Sequence, residues 1–138
     1  MRIENSFIPV QGVGEKTERS LWERGVTHWD EFEPSLVGST TADRIESFIR
    51  TARPRLSNGD ARFFAEMLPG SEAWRLYENF REEAAFFDIE TTGLSKRQDK
   101  VTTVSVYQGG ETETLVNGQD LTRERVLEVL DAPLLVTY

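Results

Sequence analysis

After Glu83 the apolar residues of this 138-residue chain change their period, and that change limits what it can fold into. Ala85 to Ile89 is an apolar run of strand length, and Val101 to Tyr107 and Glu111 to Val116 alternate on either side of Gly109-Gly110. Period-two alternation sends successive side chains to opposite faces of a strand, and the glycine pair permits the turn of a tight hairpin. Leu121 to Leu130 reverts to helical spacing, and Asp131-Ala132-Pro133 leads into a second apolar run, Leu134 to Tyr138. The predicted order over 83–138 is strand, hairpin, helix, strand, and a helical crossover favours a last strand parallel to one already present.

The preceding residues, 1–82, predict a helical region. Gln11-Gly12-Val13-Gly14 runs into an amphipathic helix from Glu15 to Arg24, closed by Gly25. Val26 to Phe32 predicts a short second helix capped by Thr27, which would make a helical hairpin. Thr41 caps a helix through Ala52 that Pro54 limits; Asp60 starts another, and after Pro69-Gly70 a helix capped by Ser71 carries Trp74, Leu76, Tyr77 and Phe80. The whole chain is expected to be an α+β protein.

Composition narrows the chemistry. Without cysteine and with His28 as the lone histidine, thiolate and histidine-rich metal sites are excluded, so a metal would be held by oxygen. There is no apolar run of membrane-spanning length and no signal-peptide core, which predicts a cytoplasmic protein. The formal charge of -8 opposes nucleic acid, so such binding would have to be local. Lysine occurs only at positions 16, 96 and 100, and an acidic, lysine-poor chain suits a salt-loving, haloarchaeal source, where salt screens self-repulsion.

Within the first apolar run, Asp88 and Glu90 stand two residues apart, followed by Thr91-Thr92-Gly93-Leu94. On a strand the two carboxylates share a face. Like charges that close oppose each other's ionisation unless a cation lies between them, and a hard divalent ion such as Mg2+ or Mn2+ prefers carboxylate oxygen. The apolar lead-in predicts a buried central strand, where unpartnered acids are costly. Gly93 permits close approach of a ligand, and Thr91 and Thr92 offer hydroxyl and N–H groups to a phosphate or sugar.

The stretch "FFDIETTGL" resembles the first motif of the DEDD family of 3′–5′ exonucleases, which have the ribonuclease H-like fold. "GVGEKTERSLWERGVTHWDEF" and "WRLYENF" are similar to segments that precede the motif in the YprB-like branch. The resemblance implies a metal-dependent nuclease, and it implies that 83–138 begin a ribonuclease H-like mixed sheet: three antiparallel strands, a helix, then a parallel strand. It implies that Asp88 bridges two divalent ions and Glu90 binds one of them, with Thr91, Thr92, Gly93 and Leu94 around the terminal nucleotide of single-stranded DNA or RNA and Leu94 as a wedge against a base. The family's remaining acids would lie beyond Tyr138, which predicts that this chain is the N-terminal part of a longer enzyme and inactive alone. The rival expectation is a non-catalytic nucleic-acid-binding or scaffold protein with a degenerate version of the fold.

"PVQGVGEKTERSLWERGV" resembles the second half of a helix-hairpin-helix element, which makes Gly12, Gly14 and Lys16 candidate nucleic-acid backbone contacts. Arg50, Arg53 and Arg55 form a basic cluster that is a further candidate for phosphate. Trp22, Trp29 and Trp74 read as packing residues, and His28 as structural or exposed.

Overall fold

A computed structural model describes every residue except Leu94, Lys96 and Tyr138. The chain divides into two compact units, Met1–Phe80 and Arg81–Tyr138.

The first unit is built from α1 (Glu15–Glu23), α2 (Ser39–Ser57), α3 (Ala61–Met67) and α4 (Tyr77–Phe80), joined by 3₁₀ turns. Its core joins Ile3, Phe7 and Val10 from the N-terminal turns to Leu21 of α1, Ile45, Phe48 and Ala52 of α2, and Phe64 of α3, all buried. Trp29 is buried at its centre, edge-on to Phe48 and stacked near Phe64, with its indole N–H donating to the Ser6 carbonyl. Trp74, expected to pack inside, is 57% exposed.

Three helix boundaries differ from expectation, each for a local reason. Residues 26–32 form no α-helix, only a 3₁₀ turn at Trp29–Glu31 capped by His28. Glu31 folds back to accept from the Thr27 and His28 N–H groups and the Thr27 hydroxyl, bonds that hold its carboxyl below the usual carboxylate range and fix a turn instead. α2 starts at Ser39 behind Gly38 and continues through Pro54 to Ser57. Pro54 lies on the exposed face, where the lost N–H and its ring disturb solvated backbone only, and Asn58 still donates to the Pro54 carbonyl. The stretch after Pro69 is a 3₁₀ run, Gly70–Leu76, before α4 begins.

Asp60 does cap α3: its carboxylate accepts from the Phe63 N–H at 3.1 Å and pairs with Arg55 at 2.9 Å. These partners, the Phe63 N–H first, lower its pKa. A carboxylate whose folded pKa is depressed stabilises above the ordinary aspartate value of about 4 and loses that contribution as pH falls through the lowered one. Stability of the first unit should therefore fall as pH drops below about 4, and Asp60→Asn should flatten the pH dependence of the urea midpoint in that range. An unchanged slope in the variant would remove Asp60 from the acid transition.

The second unit follows the predicted order. β1 (Ala85–Thr91), β2 (Val101–Gln108), β3 (Glu111–Val116), α5 (Arg123–Val129) and β4 (Leu135–Val136) form one sheet in the order β3-β2-β1-β4 with one helix. β1–β2 and β2–β3 are antiparallel and β4 is parallel to β1. Gly109 and Gly110 both have positive φ, 60° and 89°, the mirror-image turn that matches strand twist. Thr122 caps α5 by accepting from the Arg125 N–H. Val126, Val129 and Leu130, at and just beyond α5, pack with Phe87 and Leu121 against Ala85, Val104 and Val106 on one face of the sheet. Among the described residues no helix is long and apolar enough to cross a membrane.

Candidate functional site

Register fixes where the two acids lie. Phe86, Asp88 and Glu90 stand opposite Tyr107, Ser105 and Thr103 of β2, and directly paired residues share a face. The intervening Phe87 belongs to the α5 face. Asp88 and Glu90 thus project together from the opposite face, about 6.6 Å apart along the strand at ~3.3 Å per residue. Next to them this face carries hydroxyls: Ser105 and Thr114 are hydrogen-bonded at 2.9 Å across β2 and β3.

The buried strand expected here is only half present. β1 is internal in strand order, but β4 pairs only with Ala85 and Phe86, and burial falls from the buried Ala85 to exposed residues from Asp88 to Thr91. Ile89 is 44% exposed. Both acids are therefore solvated, and among the described residues neither has an ion-pair or hydrogen-bond partner for its carboxylate. Pairing becomes irregular just past the second acid: Glu90 pairs with Thr103 and Thr91 with Val101, so the extra residue, Thr102, lies on β2.

The loop behind the acids is closed by a residue whose role the sequence hid. Asp99 accepts from the Thr92 hydroxyl at 3.0 Å and from the Ser95 N–H at 2.7 Å. The Thr92 hydroxyl also accepts from the Lys100 N–H at 3.0 Å, and the Thr92 N–H donates to the Lys100 carbonyl at 3.0 Å. The Thr91 hydroxyl donates to the Gly93 carbonyl. Both threonine hydroxyls are thus engaged within the loop. Gly93 is required by space: a Cβ there would stand 2.7 Å from the Asp99 carboxylate. The only signal in the sequence is an acid seven residues beyond Thr92, which spacing alone assigns to a turn. Leu94, the expected wedge, lies outside the described residues.

The other candidate residues belong to the first unit. Gly14 is the N-cap of α1 and brings no side-chain cap, while Lys16 is exposed. Gly12 has φ 87°, and a Cβ on it would meet the Arg44 guanidinium at 3.0 Å, whose own bond is to the Gln11 carbonyl. In the arginine cluster, Arg53 pairs with Asp30 and Arg55 with Asp60, leaving Arg50 exposed and without an ion pair among the described residues.

Hard oxygen donors, sharing a solvated face with no cation between them among the described residues, suit a divalent ion. Among the described residues no three acidic or histidine side chains come together as a metal cluster.

Residues 85–138, wholly within the second unit, match the family model RNase_H_2 of the RNase H superfamily. No curated protein and no solved structure matches the chain. In the matched segment, a mixed sheet of three antiparallel strands and one parallel strand with helix α5 makes the α+β arrangement that a ribonuclease H-like, nuclease-type fold calls for.

Proposed function

We propose that this chain carries part of the active centre of a metal-dependent nuclease, most specifically a 3′–5′ exonuclease of the DEDD type and YprB-like branch, acting on an end of single-stranded DNA or RNA. The supporting observation is the pair Asp88 and Glu90, which share one solvated face of β1 without a counter-charge among the described residues, directly before a loop closed by Asp99.

Asp88 and Glu90 would hold Mg2+ or Mn2+. When bound, such an ion supplies charge neutralisation and Lewis-acid chemistry at a phosphodiester. The chain's own contribution is to fix both carboxylates on one strand and to hold the backbone from Thr91 to Gly93 beside them. Thr91, Thr92, Gly93 and Leu94 would surround the terminal nucleotide; with the two hydroxyls engaged in the loop, backbone groups are the contacts Thr91 and Thr92 have to offer.

A non-catalytic nucleic-acid-binding protein with a degenerate fold is the second reading, favoured by the lack of a third acid near the pair among the described residues. In that reading Gly12, Gly14 and Lys16 would carry backbone contacts in the first unit.

Manganese separates the two readings. Paramagnetic broadening of the backbone amide signals around Asp88 and Glu90 by Mn2+ is expected in this chain, and it should be lost in both Asp88→Asn and Glu90→Gln. The product of the encoding open reading frame should shorten 5′-end-labelled oligonucleotides from their 3′ ends with Mn2+ and stop doing so in Asp88→Asn, by at least 100-fold if the carboxylate acts only through metal. Broadening that persists in both variants sinks the metal site, and oligonucleotide binding without degradation supports the second reading.

A further inference from the structure

The chain has two stretches dense in basic residues, "RTARPR" and "KRQDK", and the structure treats them differently. In the first, Arg53 and Arg55 are neutralised by Asp30 and Asp60. In the second, Arg97 and Lys100 are exposed, and among the described residues neither side chain has an ion-pair partner. The acid between them does not quench them, because the Asp99 carboxylate is turned to the Thr92 hydroxyl and the Ser95 N–H.

Position matters as much as charge. Lys100 is tied to Thr92, two residues past Glu90, by accepting from its N–H at the Lys100 carbonyl and donating its own N–H to the Thr92 hydroxyl, and the next residue, Val101, pairs with Thr91. The cation therefore springs from the backbone beside the end of β1. Arg97 lies within the turn that Ser95 closes by accepting from the Gln98 and Asp99 N–H groups. A chain of charge -8 with two bare carboxylates repels a phosphodiester, so a substrate strand needs local cations to stay near Asp88 and Glu90. Arginine offers a planar fork that matches phosphate, and lysine a point charge.

We propose that Arg97 and Lys100 form a phosphate-binding pair that holds the backbone of a single-stranded nucleic acid beside Asp88 and Glu90. The proposal rests on the nuclease reading for its substrate and assigns the grip to the β1–β2 loop, not to the α2 arginines.

Fluorescence anisotropy of a labelled single-stranded oligodeoxynucleotide, and of RNA of the same sequence, tests it across about 50–200 mM salt. Arg97→Ala/Lys100→Ala should weaken binding roughly 25-fold near 0.1 M salt and make the slope of log K against log salt shallower by about 1.4, at ~0.7 per lost contact to a single strand. Arg19→Ala/Arg50→Ala, which removes two exposed cations of the first unit and the same net charge, should leave the slope unchanged. Arg97→Lys/Lys100→Arg should keep it near wild type. The DNA and RNA arms show which strand is held.

Equal losses in the two alanine doubles, an unchanged slope in the loop double, or no wild-type binding to either strand would overturn the proposal. Manganese broadening at Asp88 and Glu90 is read separately on the same proteins. Its persistence in the loop double with an unchanged salt slope defeats the loop assignment alone, whereas its survival in both Asp88→Asn and Glu90→Gln defeats the nuclease reading.

Discussion

Arg75→Ala is expected to destabilise the first unit by about 3–5 kcal/mol, the range for removing one partner from a buried ion pair. Glu18 and Arg75 pair at 3.0 Å with side chains only 2% and 6% exposed. The rest of the Glu18 carboxylate is satisfied by the Ser6 hydroxyl at 2.8 Å and the Phe7 N–H at 2.7 Å. Arg75 reaches Glu72 as well, and its guanidinium lies over the rings of Trp22 and Trp74, 5.9 and 5.0 Å from their centroids. Without Arg75 the Glu18 charge stays buried against uncharged donors. Urea unfolding followed by tryptophan fluorescence isolates the effect, since Trp22, Trp29 and Trp74 all belong to this unit. Glu18→Gln/Arg75→Met should recover much of the loss, because it removes both charges and keeps most of the volume. A loss below about 1 kcal/mol in Arg75→Ala would mean that water already reaches the pair.

That buried pair also marks the limit of what the sequence conveys. Glu18 sits among Glu15, Lys16, Arg19 and Glu23, and charge spacing on a helix assigns all of them to solvent. Its burial depends on Arg75, 57 residues later, and on N–H groups of a non-helical N-terminal turn. Trp74 is misassigned for the same reason: helical spacing points it inward, but the segment is 3₁₀ and the ring covers Arg75 from outside. The second unit is far more legible. Its strands alternate, its hairpin has the glycine pair, and its crossover helix has a threonine cap, so local preference and final fold agree. At the candidate site the motif locates Asp88 and Glu90 on a shared strand face, which follows from period two alone. Burial does not follow, because it depends on how far β4 extends along β1. The Thr92–Asp99 closure was illegible because a loop hydrogen bond leaves no periodic trace.

Gly93→Ala is expected to open the β1–β2 loop while leaving both strands paired. The backbone at Gly93 does not have the positive φ that only glycine favours, so the substitution brings no conformational strain of that kind. What it brings is a methyl group 2.7 to 2.8 Å from the Asp99 Oδ2, Cγ and Oδ1 atoms. No carbon tolerates that approach, and the side chain that must yield holds the loop through Thr92 and Ser95. Hydrogen bonds to a charged acceptor contribute about 1.5–3 kcal/mol when shielded, so for this exposed pair a combined loss of about 1–2 kcal/mol in the second unit is the expected scale. Asp99→Ala removes the obstructing atoms and the same bonds, so the two changes should not add. The double variant should match Asp99→Ala, with a coupling energy of about 1 kcal/mol and equal loss of amide exchange protection at Ser95 and Lys100. Strictly additive effects would show that Gly93 serves something other than the approach of Asp99. If Arg97 and Lys100 grip phosphate, each single variant should also weaken oligonucleotide binding while Mn2+ broadening at Asp88 and Glu90 persists, because the carboxylates are held by strand pairing and the cations by the loop.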